Sequence, residues 1–315
     1  MMNNLWMQPF SQPEIPHLTL YRCNFTTASP VELSIRFSAD ERAQLFLDGE
    51  YLTEGPERGA PEHWYFRELS LTVKPGNHTL SARVSSFPGN LNYGQMSLRH
   101  GFFCEESSGL LKNWECRIEQ GLTFEEPFPD WGGTPRVHVG PEYGSGEWLP
   151  VRLVIDDRVL YAPDLPEMRY QQIVPEEIRP GLLFFSKYTC CWGIWHWHGR
   201  GTARVRWTET FYDSAEFDSM SHKGKKGNRN GSVFIGNGDE FEVDGELVWR
   251  DFQWHAGHYA EVTVRGDVTW DAEFFETGYP LPGYPGSSPL AAAAVETLRA
   301  CAHETFMDCP YFERI

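Results

Sequence analysis

Positive charge is scarce in this chain: 27 lysines and arginines stand against 44 aspartates and glutamates, for a net charge of −17 and a pI near 5.1. Nucleic acid needs clustered Lys and Arg against its phosphates, so it is excluded as a partner, while neutral substrates stay compatible. Long apolar runs are missing as well. None approaches the roughly 20 residues that cross a bilayer, so no membrane partner is expected. Met1 to Phe10 has neither basic residues nor an apolar centre, and no signal peptide is read there. The seven cysteines are odd in number and irregularly spaced, with Cys190 and Cys191 adjacent. Such spacing does not make a disulfide framework, and it predicts reduced thiols in a cytoplasmic protein. Paired C-x-x-C spacing for zinc is absent, as are the nucleophile elbow, the P-loop and the dinucleotide fingerprint. No metal and no cofactor are expected.

What is present points to β structure. A length of 315 residues predicts two domains, and shares of 41% hydrophobic and 15% aromatic residues are ample for ordinary cores. From Cys23 to about Phe103 short alternating runs lie between turn signals. Val31 to Phe37, Ala43 to Leu47, Leu69 to Val73 and His78 to Val84 read as half-buried strands, with Asp48-Gly49 as a hairpin turn. This spacing predicts an antiparallel sandwich over residues 1–113. Nine prolines between Pro127 and Pro180 rule out long ladders there. Residues 114–180 are therefore expected to be a connecting segment packed on the first domain, with Trp114, Trp131 and Trp148 as anchors. Gly55-Pro56-Glu57-Arg58-Gly59 reads as a tight turn whose Glu57 and Arg58 pair at the surface. A second sandwich is expected over 181–276, where Ala203 to Phe211 and Ala260 to Arg265 alternate cleanly. The basic, glycine-rich run from Ser221 to Gly231 reads as a surface loop. Residues 277–315 form a linker and a helix, with Ser288 as cap, Pro289 in the first turn, and Leu290, Ala294, Leu298 and Cys301 on one stripe.

Several short motifs stand in a fixed order: Gly55-Pro56-Glu57-Arg58-Gly59; Gly236-Asn237-Gly238-Asp239-Glu240-Phe241; Asp244-Gly245; Trp254-His255-Ala256-Gly257-His258-Tyr259; Thr277-Gly278-Tyr279-Pro280. The last run is Cys301-Ala302-His303-Glu304-Thr305-Phe306-Met307-Asp308-Cys309-Pro310-Tyr311-Phe312-Glu313. Together they resemble the N-terminal part of bacterial α-L-rhamnosidases of glycoside hydrolase family 78. His258 stands where that pattern has arginine. The resemblance implies two jelly-roll-like β-sandwiches followed by the first helix of an (α/α)6 catalytic barrel. It also implies a parent reaction, the inverting hydrolysis of terminal α-L-rhamnosides, with rhamnose-containing glycosides as partners. By resemblance Glu313 is the general acid and Asp308 holds the sugar.

Inverting glycosidases place two carboxyl groups on opposite sides of the scissile bond. The base that the family uses lies further along its barrel than Ile315, so the chain by itself is expected to be inactive. A second reading is open: a stand-alone carbohydrate-binding or assembly module. A homo-oligomer is compatible with either reading. The run Trp192 to His198 alternates, with Trp195 and Trp197 on one face and His196 and His198 on the other. Those tryptophans are candidates for stacking on a sugar ring, with a sandwich core as the competing placement. The His-x-His pair would bind a metal only if His255 or His258 stood beside it.

Overall fold

The computed structural model describes residues 4–11, 13–60, 62–87, 97–125, 135–212, 233–282, 286 and 288–304. Along the first 120 residues run β1 (Asn4–Gln8), β2 (His17–Thr27), β3 (Val31–Ala39), β4 (Arg42–Leu47), β5 (Glu50–Gly55), β6 (Trp64–Tyr65), β7 (Arg67–Val73), β8 (Gly76–Ser86), β9 (Phe102–Glu106) and β10 (Glu115–Ile118). Next come β11 (Leu122–Glu125) and β12 (Arg136–Val139), then β13 (Leu149–Pro150), β14 (Arg152–Asp156) and β15 (Leu160–Tyr161). The chain ends with β16 (Arg169–Ile173), β17 (Glu176–Arg179), β18 (Leu182–Thr208), β19 (Glu240–Arg250), β20 (His255–Gly278) and the helix α1 (Pro289–Cys301).

These elements form two compact units, residues 1–120 with 142–165, and residues 121–141 with 166–315. Each unit is thus assembled from separated stretches of chain. The prolines do keep the middle strands short, and β13, which carries Pro150, is a two-residue edge strand. Pairing partner, rather than chain order, assigns residues 114–180. β10 pairs with β2 and β14 with β1, whereas β12 lies parallel to β19.

The first unit is a sandwich of a five-stranded sheet, β14-β1-β9-β3-β7, and a six-stranded sheet, β13-β10-β2-β8-β4-β5. Alternation sets the register: Leu33, Ile35 and Phe37 of β3 are buried while Glu32, Ser34 and Arg36 face outwards. A slip of one residue would turn all three apolar side chains to water, at about 1.5–3 kcal/mol each. At the hairpin, Asp48 and Gly49 have φ of 53° and 88°, and Leu47 pairs with Glu50. Both central residues at positive φ match the right-handed twist of the flanking strands. Trp114 is buried edge-on to Phe102, and Trp148 lies 4.0 Å below the Arg22 guanidinium. Trp131 lies outside the described residues, as does Ser221 to Gly231. Glu57 departs from expectation. It is buried, and its two carboxylate oxygens accept the backbone N–H groups of Asp164 and Leu165 at 2.9 Å each. A carboxylate that ties two distant backbone donors is worth more than a surface ion pair with Arg58.

A buried polar cluster sits within this sandwich. His100 bridges Ser86 Oγ at 2.7 Å and the Tyr21 hydroxyl at 2.8 Å, and His17 meets it edge-on with ring centroids 4.5 Å apart. Burial pulls the His17 pKa down to about 4, and burial with the nearby His17 and Arg158 charges pulls His100 well below the usual range. Both rings fold as neutral groups, so the unfolded chain binds more protons below pH 6.5. The stability that neutrality provides is complete above that pH and is lost as pH falls through the folded value near 4. A His17→Gln variant removes this titration. The stability of the parent relative to the variant should fall by roughly 3 kcal/mol between pH 7 and pH 4. Urea unfolding at both pH values measures it, and a constant difference would refute the neutral buried ring.

The second unit is one large sheet, β11-β12-β19-β18-β20-β16, with β17 also paired to β18. β18 spans 27 residues and β20 spans 24. Near Cys191 the register breaks, and β18 passes from one side of β20 to the other: Tyr259 pairs with both Phe184 and Thr208. That crossing folds the sheet over an aromatic core containing Trp192, Trp195, Trp197, Trp207 and Trp249, all at most 2% exposed. The helix starts as expected, with Ser288 Oγ accepting the Ala291 N–H. Of its apolar stripe only Cys301 is buried; Leu290 and Leu298 are 82% and 49% exposed. Among the described residues the architecture is two β units followed by one helix.

Candidate functional site

Asp308 and Glu313 lie outside the described residues. The approach to them is described as far as Glu304: the Tyr279 N–H donates to the Ala302 carbonyl at 2.7 Å, and the His303 ring stacks flat on Trp254 at 4.1 Å. These contacts hold the end of the helix against Tyr279 and Trp254.

Trp195 and Trp197 do share one face of β18, and that face is the core. Their rings stack on each other at 5.7 Å and 9°, Phe274 meets Trp195 at 5.3 Å, and Phe241 meets Trp197 at 5.0 Å. With 1% and 0% exposure they have no ring face open to solvent, so their placement is the core one that competed with stacking on a sugar. The physical reason is the crossing of β18 over β20, which covers this face of the sheet. His196 and His198 take the other face, 3.8 Å from Glu273 and 3.9 Å from Glu246. Among the described residues they join neither His255 nor His258 in a metal-sized group, so the histidine grouping considered from the sequence does not form there. His258, at the arginine position of the motif, donates from Nδ1 to the Phe185 carbonyl at 3.1 Å and lies among the rings of Phe184 and Tyr188.

A different set of groups converges inside the second unit. Asp239 precedes β19, Asp251 follows it and His255 opens β20; they are 4%, 1% and 7% exposed. His255 Nε2 stands 3.7 Å from Asp239 Oδ2 and 3.8 Å from Asp251 Oδ2. One donor atom from each residue fits within a 4.8 Å span. The carboxylates are fixed from behind: Asp239 Oδ1 accepts the Val137 N–H at 2.9 Å, and Asp251 Oδ2 accepts the Gly193 N–H at 2.7 Å. Asp251 also takes the indole N–H of Trp195. A Cβ at Gly193 would lie 2.5 Å from that indole nitrogen and 2.9 Å from Asp251 Oδ2, so this close approach requires glycine. The His255 ring lies parallel to Trp207 with centroids 5.6 Å apart. Burial pushes the Asp251 carboxyl up, opposed by His255 and reinforced by Asp239. Burial pulls His255 down, but the two carboxylates overcome it and hold the imidazole above its usual value. Sequence reasoning missed this trio. Its available signal was the polar Asp251 inside, and His255 directly after, the aromatic run Trp249 to Trp254, with Asp239 inside a separate motif.

With that geometry in hand, the fold falls in a class: the β-rich, multi-sheet architecture that is also seen in solved glycoside hydrolases. The particular likeness is to α-L-rhamnosidases. The native enzyme from Aspergillus terreus matches 100% of this chain and 41% of its own length, with a TM-score of 0.63 and 15% identity. The Streptomyces avermitilis enzyme, crystallised with L-rhamnose, matches 94% of this chain and 32% of its own at TM-score 0.61 and 15% identity. The enzyme from Dictyoglumus thermophilum matches 98% and 40% at 0.58 and 12%. The chain therefore spans about two fifths or less of these structures, and the likeness is one of fold. It fits an N-terminal portion of a rhamnosidase. No protein-family model and no curated protein matches the sequence. No helix among the described residues is long and apolar enough to cross a membrane.

Proposed function

We propose that this chain is the N-terminal, non-catalytic portion of an α-L-rhamnosidase-like glycoside hydrolase, whose parent reaction is the inverting hydrolysis of terminal α-L-rhamnosides. The observation that carries this reading is the match of the whole chain to part of the A. terreus enzyme, together with the colinear motifs from Gly55 to Glu313. On this reading Glu313 is the proton donor and Asp308 grips the sugar. The opposing base and most of the pocket belong to barrel sequence that these 315 residues do not include. General acid catalysis alone supplies about a hundred- to ten-thousand-fold, and only with the donor held within hydrogen-bond reach of the glycosidic oxygen. The six described cysteines are free thiols, which supports the cytoplasmic placement.

The 315-residue polypeptide is expected to release no chromophore from a chromogenic α-L-rhamnoside above a Glu313→Gln control. Turnover above that control would overturn its assignment as non-catalytic. In parallel, calorimetry with millimolar L-rhamnose should give no heat; a saturable signal would favour the stand-alone sugar-binding module instead.

A further inference from the structure

We propose that the open edge of β14 is a self-association surface, on which a second copy of this chain adds its own β14 in antiparallel register. The proposal does not depend on the glycosidase reading. β14 ends the five-stranded sheet, and β1 is its one strand partner among the described residues. A strand in that position presents a row of backbone N–H and C=O groups free to pair with another strand. Leu153 and Ile155 are 59% and 63% exposed, beside Leu5 of β1 at 49%. Met7 shares their face and belongs to the sandwich core, so these side chains carry the core side of the sheet out to its rim. On this side the facing sheet ends in β13, which has two residues. The opposite edge of the same sheet is built differently, since β7 turns Glu68, Ser70 and Thr72 to solvent. Natural sheets blunt an edge with such polar residues, or with lysine or proline, and β14 has neither of the last two.

The strand's own order, Arg152-Leu153-Val154-Ile155-Asp156, selects the occupant. Turned about a two-fold axis at Val154, it meets itself with Leu153 opposite Ile155 of the second copy and Arg152 opposite Asp156. Each match occurs twice, and apolar and opposite-charge cross-strand pairs are both favourable. A parallel pairing in register sets Arg152 beside Arg152 and Asp156 beside Asp156, which like-charge repulsion opposes. Within its own chain Arg152 donates to Gln8 Oε1 at 2.7 Å, and Asp156 accepts from Arg158 and Arg99. The approaching charges therefore add to contacts that already orient both side chains. A patch that complements itself about one axis is what a closed two-fold dimer requires, and a strand of different sequence gains nothing from that symmetry. The pairing joins two five-stranded sheets into one continuous sheet and sets the exposed Leu153 and Ile155 of both copies against each other. A single strand on each side is small for a specific interface, so the dimer is a weak one.

The test is sedimentation equilibrium of the full 315-residue protein over a concentration range of about 10 μM to about 1 mM. A monomer–dimer equilibrium is expected. Leu153→Glu should weaken it roughly a hundredfold, because a two-fold interface carries the change twice. Leu153→Glu combined with Ile155→Lys should restore most of the association, since this register sets each new carboxylate opposite the new ammonium of the other copy. Both positions are exposed, and unchanged melting temperatures would show that the variants fold. Amide exchange of the parent protein gives a reading independent of either variant: exchange within Arg152 to Asp156 should slow as concentration rises. A parent that stays monomeric throughout the range would leave this edge to a different polypeptide and overturn the proposal. A dimer that Leu153→Glu does not weaken, or that the double variant does not restore, would overturn it as well.

Discussion

Replacing Trp195 with alanine is expected to destabilise the second unit by about 3–5 kcal/mol, the cost of removing a large aromatic side chain from a packed core. The structural basis is its 1% exposure and its contacts with Trp197, Phe274 and Trp270 at 5.7, 5.3 and 6.2 Å between centroids. The substitution also removes an N–H from the buried Asp251 carboxylate. Loss of that donor adds a penalty that Trp195→Phe shares, so the difference between the two variants isolates the packing contribution. Urea unfolding followed by tryptophan fluorescence gives both values. A Trp195→Ala protein that keeps parental stability and loses affinity for rhamnose would instead make the residue a sugar platform, and the core assignment would fail.

Arg158→Ala is expected to cost the first unit a comparable 3–5 kcal/mol, because it takes the guanidinium away from two buried carboxylates, of which Asp156 keeps Arg99 at 3.2 Å. Arg158 Nη1 donates to Asp40 at 2.9 Å, while its Nε and Nη2 make a fork on Asp156 at 3.0 Å each. Its guanidinium lies 3.8 Å from the centroid of Trp6 and 4.9 Å from that of Trp64. The side chains are 2%, 0% and 3% exposed, so solvent does not screen the three charges. Burial raises the Asp40 carboxyl more than Arg158 lowers it. The pair therefore gives little net stabilisation over an apolar substitute, yet breaking it is expensive. The corollary is testable: Arg158→Ala combined with Asp40→Asn and Asp156→Asn should recover much of the loss. A single Arg158→Ala variant within about 1 kcal/mol of the parent would contradict the assigned role.

Much of the fold was legible because it rests on local rules. Alternation in Val31 to Phe37, the Asp48-Gly49 turn, and Ser288-Pro289 at the helix start each act within a few residues. Each appears in the structure as β3, the β4–β5 hairpin and α1. The colinear motifs likewise gave the resemblance to α-L-rhamnosidases that comparison of folds supports. The split of residues 114–180 between two units was not legible, because strand partners are chosen by contacts between residues about a hundred positions apart, as in β12 with β19. Glu57 was misplaced for a similar reason: its acceptors' partners, Asp164 and Leu165, are more than a hundred residues away in sequence.

The sequence by itself determined the β class, the strand faces, the order of the motifs and the placing of Trp195 opposite His196. Only the tertiary structure decided which of those two faces is the inside. Period-two alternation says that two faces differ, but the face that becomes core depends on where β18 crosses β20 and what covers it. That same crossing brings Asp239, Asp251 and His255 together from separate elements. Asp251 and His255 are four residues apart, but the approach of Asp239 to them is a property of closure in space, which no spacing along the chain encodes.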